Sequence, residues 1–216
     1  MDHTILYVDG LPGAGKTSLI ASLKAMKRTD LVVWEEKIDQ TRLRRMLSDM
    51  KRYAFDYQMF RLRESAKTFK AALSCAQKGQ FVVIDRSVVG DSAFAWNHYL
   101  SGNLTDVQWS TYLEALKLLL AEMKAAGSSV TQLYIYLSTS AEQALRRIRR
   151  RGREGESTYS FVYLERVEAA HMTMYKSLEV QFAMAESSER ACPPSPTKPC
   201  TIVASGFLRS LEVCKQ

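Results

Sequence analysis

Gly10-Leu11-Pro12-Gly13-Ala14-Gly15-Lys16-Thr17 has the spacing G-x-x-x-x-G-K-[ST], the pattern of a glycine-rich loop that wraps phosphate. Glycines at 10, 13 and 15 let successive backbone N–H groups turn inward around an anion that a Cβ would obstruct. Lys16 adds a positive charge for β- and γ-phosphates, and Thr17 offers a hydroxyl to Mg²⁺. The flanks agree with this reading. Thr4-Ile5-Leu6-Tyr7-Val8 is a short apolar run suited to a strand, and residues 18–27 have helical spacing, with Leu19, Ile20 and Leu23 on one face. A helix that starts at the loop, with Ser18 in its first turn, aims its free N–H groups and dipole at the same anion.

Working outward, residues 31–34 read as a second buried strand that ends in Glu35-Glu36. A carboxylate at the C-terminal end of such a strand faces the ligand crevice of an open α/β sheet, although an acid there can also be a solvated loop residue. Residues 38–50 and 53–77 have helical periodicity, and the second stretch carries Gln58, whose amide can donate and accept at once. Residues 81–84 form a third apolar run that ends in Asp85-Arg86-Ser87. An acid and an arginine at a strand end suit phosphoryl transfer, the acid beside Mg²⁺ and the arginine neutralising transferred charge; a plain ion pair is the alternative.

Residues 91–100 and 106–126 are expected to be helical, 133–137 a fourth strand, and Ser140 with Gln143 a capping box for the next helix. That helix runs into Arg146, Arg147, Arg149, Arg150, Arg151 and Arg153, interrupted by Gly152 and closed by Gly155-Glu156. Guanidinium forks match phosphate oxygens, so the segment 147–157 reads as an arginine-rich lid. A nucleic-acid or localisation patch is the rival reading. The position after a late strand–helix pair favours the lid. Residues 161–187 read as one long amphipathic helix, 191–199 as a proline-rich connector, 201–204 as a fifth strand and 207–213 as a closing helix. Strands alternating with helices predict an α/β fold: three layers, with a five-stranded parallel sheet flanked by helices, in one domain over 1–216.

Composition agrees. The chain has 216 residues, 46% of them hydrophobic and 25% charged, and a formal charge of +7, values ordinary for a globular protein that meets a polyanionic small molecule. Cys75, Cys192, Cys200 and Cys214 lack metal-ligand spacing. Neither a membrane span nor a signal peptide is apparent in the sequence, so a cytoplasmic location is expected.

Taken together, the loop 10–17, the Glu35 strand end, Gln58, the Asp85-Arg86-Ser87 triplet and the arginine-rich segment ending in Glu156 resemble the deoxynucleoside kinase family over residues 4–180. The resemblance implies transfer of the ATP γ-phosphate to the 5′-hydroxyl of a deoxyribonucleoside, with Mg²⁺ and no nucleic-acid or membrane partner. It implies Glu35 as general base, Asp85 beside Mg²⁺ and as the rival proton acceptor, Arg86 orienting Glu35 and stabilising developing charge, Gln58 pairing with the nucleobase, Asp91 near the base and Glu156 at the sugar 3′-hydroxyl. Arg147, Arg151 and Arg153 fall at phosphate-contacting positions, and the family's homodimers imply the same state here. A thymidylate-type kinase that uses Arg61 and Arg63 for a substrate phosphate is the alternative. The chain departs from the family where its sugar-gripping tyrosine becomes Leu47, with Tyr53 or Tyr57 as replacements, and where the arginine partner of Asp91 becomes Ser65.

Overall fold

The computed structural model describes residues 3–126, 130–152, 156, 159–177 and 183–186. Its elements alternate: β1 (Thr4–Gly10), α1 (Lys16–Ala25), β2 (Leu31–Trp34), α2 (Gln40–Ser48), α3 (Met50–Ala76), β3 (Phe81–Asp85), α4 (Val88–Leu100), α5 (Asp106–Ala126), β4 (Thr131–Ser138), α6 (Ala141–Arg151), α7 (Phe161–Ser177) and β5 (Ala183–Glu186). The strands lie in the order β2-β3-β1-β4-β5, and every pairing is parallel.

Both faces of the sheet are apolar because both are covered. On one face Ile5, Tyr7, Val82, Ile84 and Tyr136 pack beneath Phe69 of α3 and Tyr112, Leu116 and Met123 of α5. On the other, Val8, Val83, Ile135 and Leu137 meet Ile148 of α6 and Leu164 and Val167 of α7. The period-2 alternation of a strand divides its side chains between these two cores. All strand C-termini point the same way, so Gly10, Trp34, Asp85 and Ser138 end at one rim.

Short polar side chains set the helix starts. Asp39 accepts from Arg42 N and Asp49 from Arg52 N, so a single residue, Asp49, separates α2 from α3. Ser87 caps α4 by accepting from Gly90 N, which starts that helix three residues earlier than its periodicity predicts. Thr105 and Gln108 form a capping box at α5. Ser140 caps α6 through Gln143 N.

One expectation is corrected. Of the helix expected over 161–187, Phe161–Ser177 is helical, but Ala183–Glu186 is a strand. Its register against β4 runs from Ile135↔Ala183 to Ser138↔Glu186. The sequence Ala-Met-Ala-Glu favours a helix, but the open edge of β4 offers unpaired backbone groups, and that pairing overrides local propensity. The expected connector at 191–199, strand at 201–204 and helix at 207–213 lie outside the described residues. No helix among the described residues is long and apolar enough to cross a membrane.

Candidate active site

The loop between β1 and α1 is built on three left-handed or extended glycines, with φ of 145° at Gly10, 82° at Gly13 and 105° at Gly15. A Cβ on Gly10 would lie 2.8 Å from Leu137 O, and one on Gly13 would lie 2.7 Å from Ala144 O. Glycine is therefore required both by conformation and by the close seating of β4 and α6. Lys16 folds back and donates to Gly10 O at 2.9 Å and Leu11 O at 3.1 Å. Burial, helped by the charge of Arg86, lowers its ammonium to about 8. Thr17 and Ser18 are exposed at the start of α1. From α6, Arg147 Nη1 reaches Gly13 O at 3.3 Å and Ala14 O at 3.4 Å.

Facing the loop, the ends of β2 and β3 meet α3 and α4 in a buried charge cluster. Arg61 Nη2 lies 2.8 Å from Glu36 Oε1 and 3.1 and 3.2 Å from the two oxygens of Asp91, while Arg61 Nη1 donates to Lys37 O at 3.0 Å. Arg86 Nε donates to the same Glu36 Oε1 at 3.1 Å and stands 3.8 Å from Asp91. Ser65 Oγ completes Asp91 at 2.8 Å. Thus two guanidiniums converge on one oxygen of Glu36, and no hydrogen bond falls on Oε2 among the described residues. Burial alone would raise Glu36, but Arg86, Arg61 and Lys16 outweigh it and hold the carboxyl at about 2.

The rest of the triplet is tied from below. Arg86 has a φ of 74°, and its N donates to Val8 O at 3.0 Å. Its guanidinium lies over the Phe94 ring, 4.7 Å from the centroid, with Nη1 unpartnered. Asp85 keeps a buried Oδ1 without a partner, and burial raises its carboxyl. Beneath them the fully buried Asp9 accepts from Ser87 N at 2.9 Å, from Ser87 Oγ and from Tyr175 OH. A cavity opens at the cluster, and its lining includes Glu36, Arg61, Asp85 and Arg86 together with the apolar side chains of Phe69 and Met123.

Several expected site residues are placed differently. Glu35 borders that cavity, but its carboxylate is 59% exposed and pairs with Lys24 of α1. Consecutive residues leave a strand end on opposite sides, and the inward one is Glu36. Gln58 is buried one helical turn before Arg61, on the same face of α3. Arg151 and Glu156, expected at phosphate and sugar, form a two-point ion pair with each other at 2.6 and 3.0 Å. Arg153 lies outside the described residues. Leu47 packs into the core; Tyr53 lies beneath Arg45 and Arg52. Burial raises the Tyr57 hydroxyl, which lies near Arg61, Glu36 and Asp91. Arg61 is committed to carboxylates, and Arg63 is 62% exposed beside Glu64, so neither supports a second phosphate site.

Three contributors escaped the sequence reading. Glu36 was hidden by its twin. Arg61 was weighed only as a contact for a substrate phosphate, not as a partner of buried carboxylates, although its spacing from Gln58 was available. Asp9 stood at the end of an apolar run, where a buried carboxylate demands partners.

A family model described as deoxynucleoside kinase matches residues 6–202. The deoxyadenosine kinase of Dictyostelium discoideum is 31% identical over 171 residues, covering 79% of this chain and 66% of that protein. The deoxyadenosine/deoxycytidine kinase of Bacillus subtilis is 29% identical over 171 residues, 78% of this chain and 75% of that protein. The chain thus spans slightly less than two thirds of the Dictyostelium protein. Among solved structures, deoxyadenosine kinase from M. mycoides with bound dCTP superposes with a TM-score of 0.69 over 87% of this chain and 92% of that one, at 22% identity. That likeness establishes a common fold.

Proposed function

The chain belongs to the deoxynucleoside kinase family, and from that premise we propose that it transfers the γ-phosphoryl group of ATP to the 5′-hydroxyl of a deoxyribonucleoside. The observation that carries the residue assignment is the asymmetry of Glu36: Oε1 is pinned by Arg61 and Arg86, and Oε2 is left for a substrate. In this reading Glu36 takes the role that the sequence assigned to Glu35.

The residues present fit Mg·ATP. The inward-curling glycines, Lys16 and the α1 N-terminus suit a polyphosphate, and Thr17 with the unpartnered oxygen of Asp85 suits Mg²⁺. When bound, Mg·ATP supplies the electrophilic phosphoryl group. Gln58 and Asp91 lie toward the nucleobase. Arg147, already at the loop, is available to the phosphates, as is Arg151 once it leaves Glu156.

A carboxylate that two guanidiniums and Lys16 hold below its ordinary range is a weak base. Its first task is therefore to orient the hydroxyl, which donates a hydrogen bond to Oε2. With both substrates bound, the proton would pass to that oxygen as the new O–P bond forms and the bond from the γ-phosphorus to the bridging oxygen of the departing ADP breaks, late in a loose transition state. Arg86 Nη1, unpartnered, can meet the charge on the transferring group.

Phosphate transfer from Mg·ATP to the four natural deoxynucleosides, with products separated, tests the assignment. We expect Glu36→Gln to lower kcat by about 10²-fold or more and Glu35→Gln to keep most of it. The reverse pattern would return the role to Glu35. Absence of any 5′-monophosphate would overturn the activity.

A further inference from the structure

We propose that Arg61 is a positioning residue: it links the nucleobase end of the pocket to the proton acceptor, and it decides which of the two consecutive glutamates faces the substrate. The proposal rests on the kinase reading above and goes beyond it, because the only role the sequence offered Arg61 was contact with a substrate phosphate, and its guanidinium is committed to Glu36 and Asp91 instead.

Three observations carry it. First, one nitrogen serves both ends. Arg61 Nη2 is 2.8 Å from Glu36 Oε1 and within 3.2 Å of both oxygens of Asp91, so any shift of Asp91 is felt at Glu36 through a single rigid guanidinium. Second, the other nitrogen holds backbone. Arg61 Nη1 donates to Lys37 O at 3.0 Å, so α3 grips the segment after β2 at the Glu36 side chain and at the next carbonyl. Two holds on adjacent residues fix the rotation of that segment. With the rotation fixed, Glu36 points in and Glu35 is left to Lys24 at the surface.

Third, the burial is deep enough for the link to count. The Arg61 side chain is 9% exposed and that of Asp91 5%. Such charges are rarely left inside unless paired, and removing one partner strands the other. Arg86 holds Glu36 by one bond, as Arg61 does, but it stands 3.8 Å from Asp91, beyond hydrogen-bond reach. It can steady the carboxylate without transmitting the state of the nucleobase end. Ser65, at 2.8 Å, orients Asp91 for Arg61.

A kinetic cycle tests the link: the wild type, Arg61→Lys, Arg61→Met, Asp91→Asn and the double variant R61M/D91N, each assayed with saturating Mg·ATP across a range of deoxynucleoside. We expect Arg61→Met to lower kcat about tenfold or more, the scale of one lost charge-assisted bond. The KM for ATP should stay within twofold of wild type, an outcome a general loss of structure would not produce. Asp91→Asn should lower kcat as well as raise nucleoside KM. The double variant should be no slower than the slower single, because both changes break the same link. Arg61→Lys, which keeps the charge but cannot fork, should fold with an unchanged melting temperature and still lose kcat; if Arg61→Met fails to fold, this variant carries the test.

Effects that multiply in the double variant, or a change in nucleoside KM with kcat untouched, would overturn the coupling. Full kcat in Arg61→Lys would reduce Arg61 to a simple charge and overturn it too. Glu36→Gln, run alongside, separates the two levels. If it remains active, the kinase assignment of Glu36 fails whatever Arg61 does. If it is inactive while the cycle is additive, only the coupling fails.

Discussion

Lys16 is held in the loop by two carbonyls and carries an ammonium lowered to about 8. Burial disfavours its charge in the free protein, and a bound polyphosphate favours it, so ligand binding raises the lowered value. Around pH 8 the free site is about half protonated, and binding should draw in about half a proton. Near pH 6.5 it is already charged, and uptake should vanish. Titration calorimetry of Mg·ATP binding in buffers of different ionisation enthalpy measures this directly; equal uptake at both pH values would place the proton elsewhere. Gly90 makes a second residue-scale case. A Cβ there would sit 2.0 Å from Asp9 Oδ1, and Asp9 cannot retreat because Ser87 and Tyr175 hold it. Gly90→Ala should cost on the order of 2–3 kcal/mol in denaturant unfolding, although Gly90 is helical and alanine would ordinarily stabilise a helix.

Among the elements, α7 reaches the chemistry indirectly. Tyr175 sends its hydroxyl to Asp9, the last residue of β1 before Gly10, and Asp9 in turn holds Ser87 at the start of α4. One carboxylate thus pins a strand and two helices at the rim. Tyr175→Phe removes a bond to a charged group without changing the ring, so it should lower stability by about 1.5–3 kcal/mol. Unaltered unfolding would mean that apolar contacts alone seat α7. The elements also differ in how far sequence revealed them. The loop 10–17, the strand ends and α5 were legible, since each is fixed by local pattern. The boundary after Ser177 was not. Ala183–Glu186 is a strand because β4 has an edge to fill, and an edge belongs to the assembled sheet rather than to the residues that cover it. In the proposed site, Lys16, Asp85 and Arg86 came from motif spacing and Asp91 from the family resemblance, whereas choosing Glu36 over Glu35 required knowing where Arg61 would lie.

For the whole molecule, the parallel sheet gathers the β1, β2, β3 and β4 ends on one rim, and two regions of different electrical character meet there. At the end proposed for phosphate, Lys16 and Arg147 lie at the loop, with α1 starting beside them. At the end proposed for the nucleoside, two guanidiniums, Arg61 and Arg86, are matched by two carboxylates, Glu36 and Asp91. Matched buried charges cast little field beyond themselves, whereas the loop and the chain's formal charge of +7 attract anions over a distance that salt shortens to about 8 Å at 0.15 M. The two substrates should consequently answer differently to ionic strength. Raising potassium chloride from 20 to about 300 mM should increase the KM for ATP several-fold and leave the KM for the deoxynucleoside nearly level, and parallel increases would show that the inner charges are not balanced. Rising salt would then tune the demand for the phosphate donor alone, and recognition of an uncharged nucleoside would be insulated from it by the pairing of Arg61 and Arg86 with their acids.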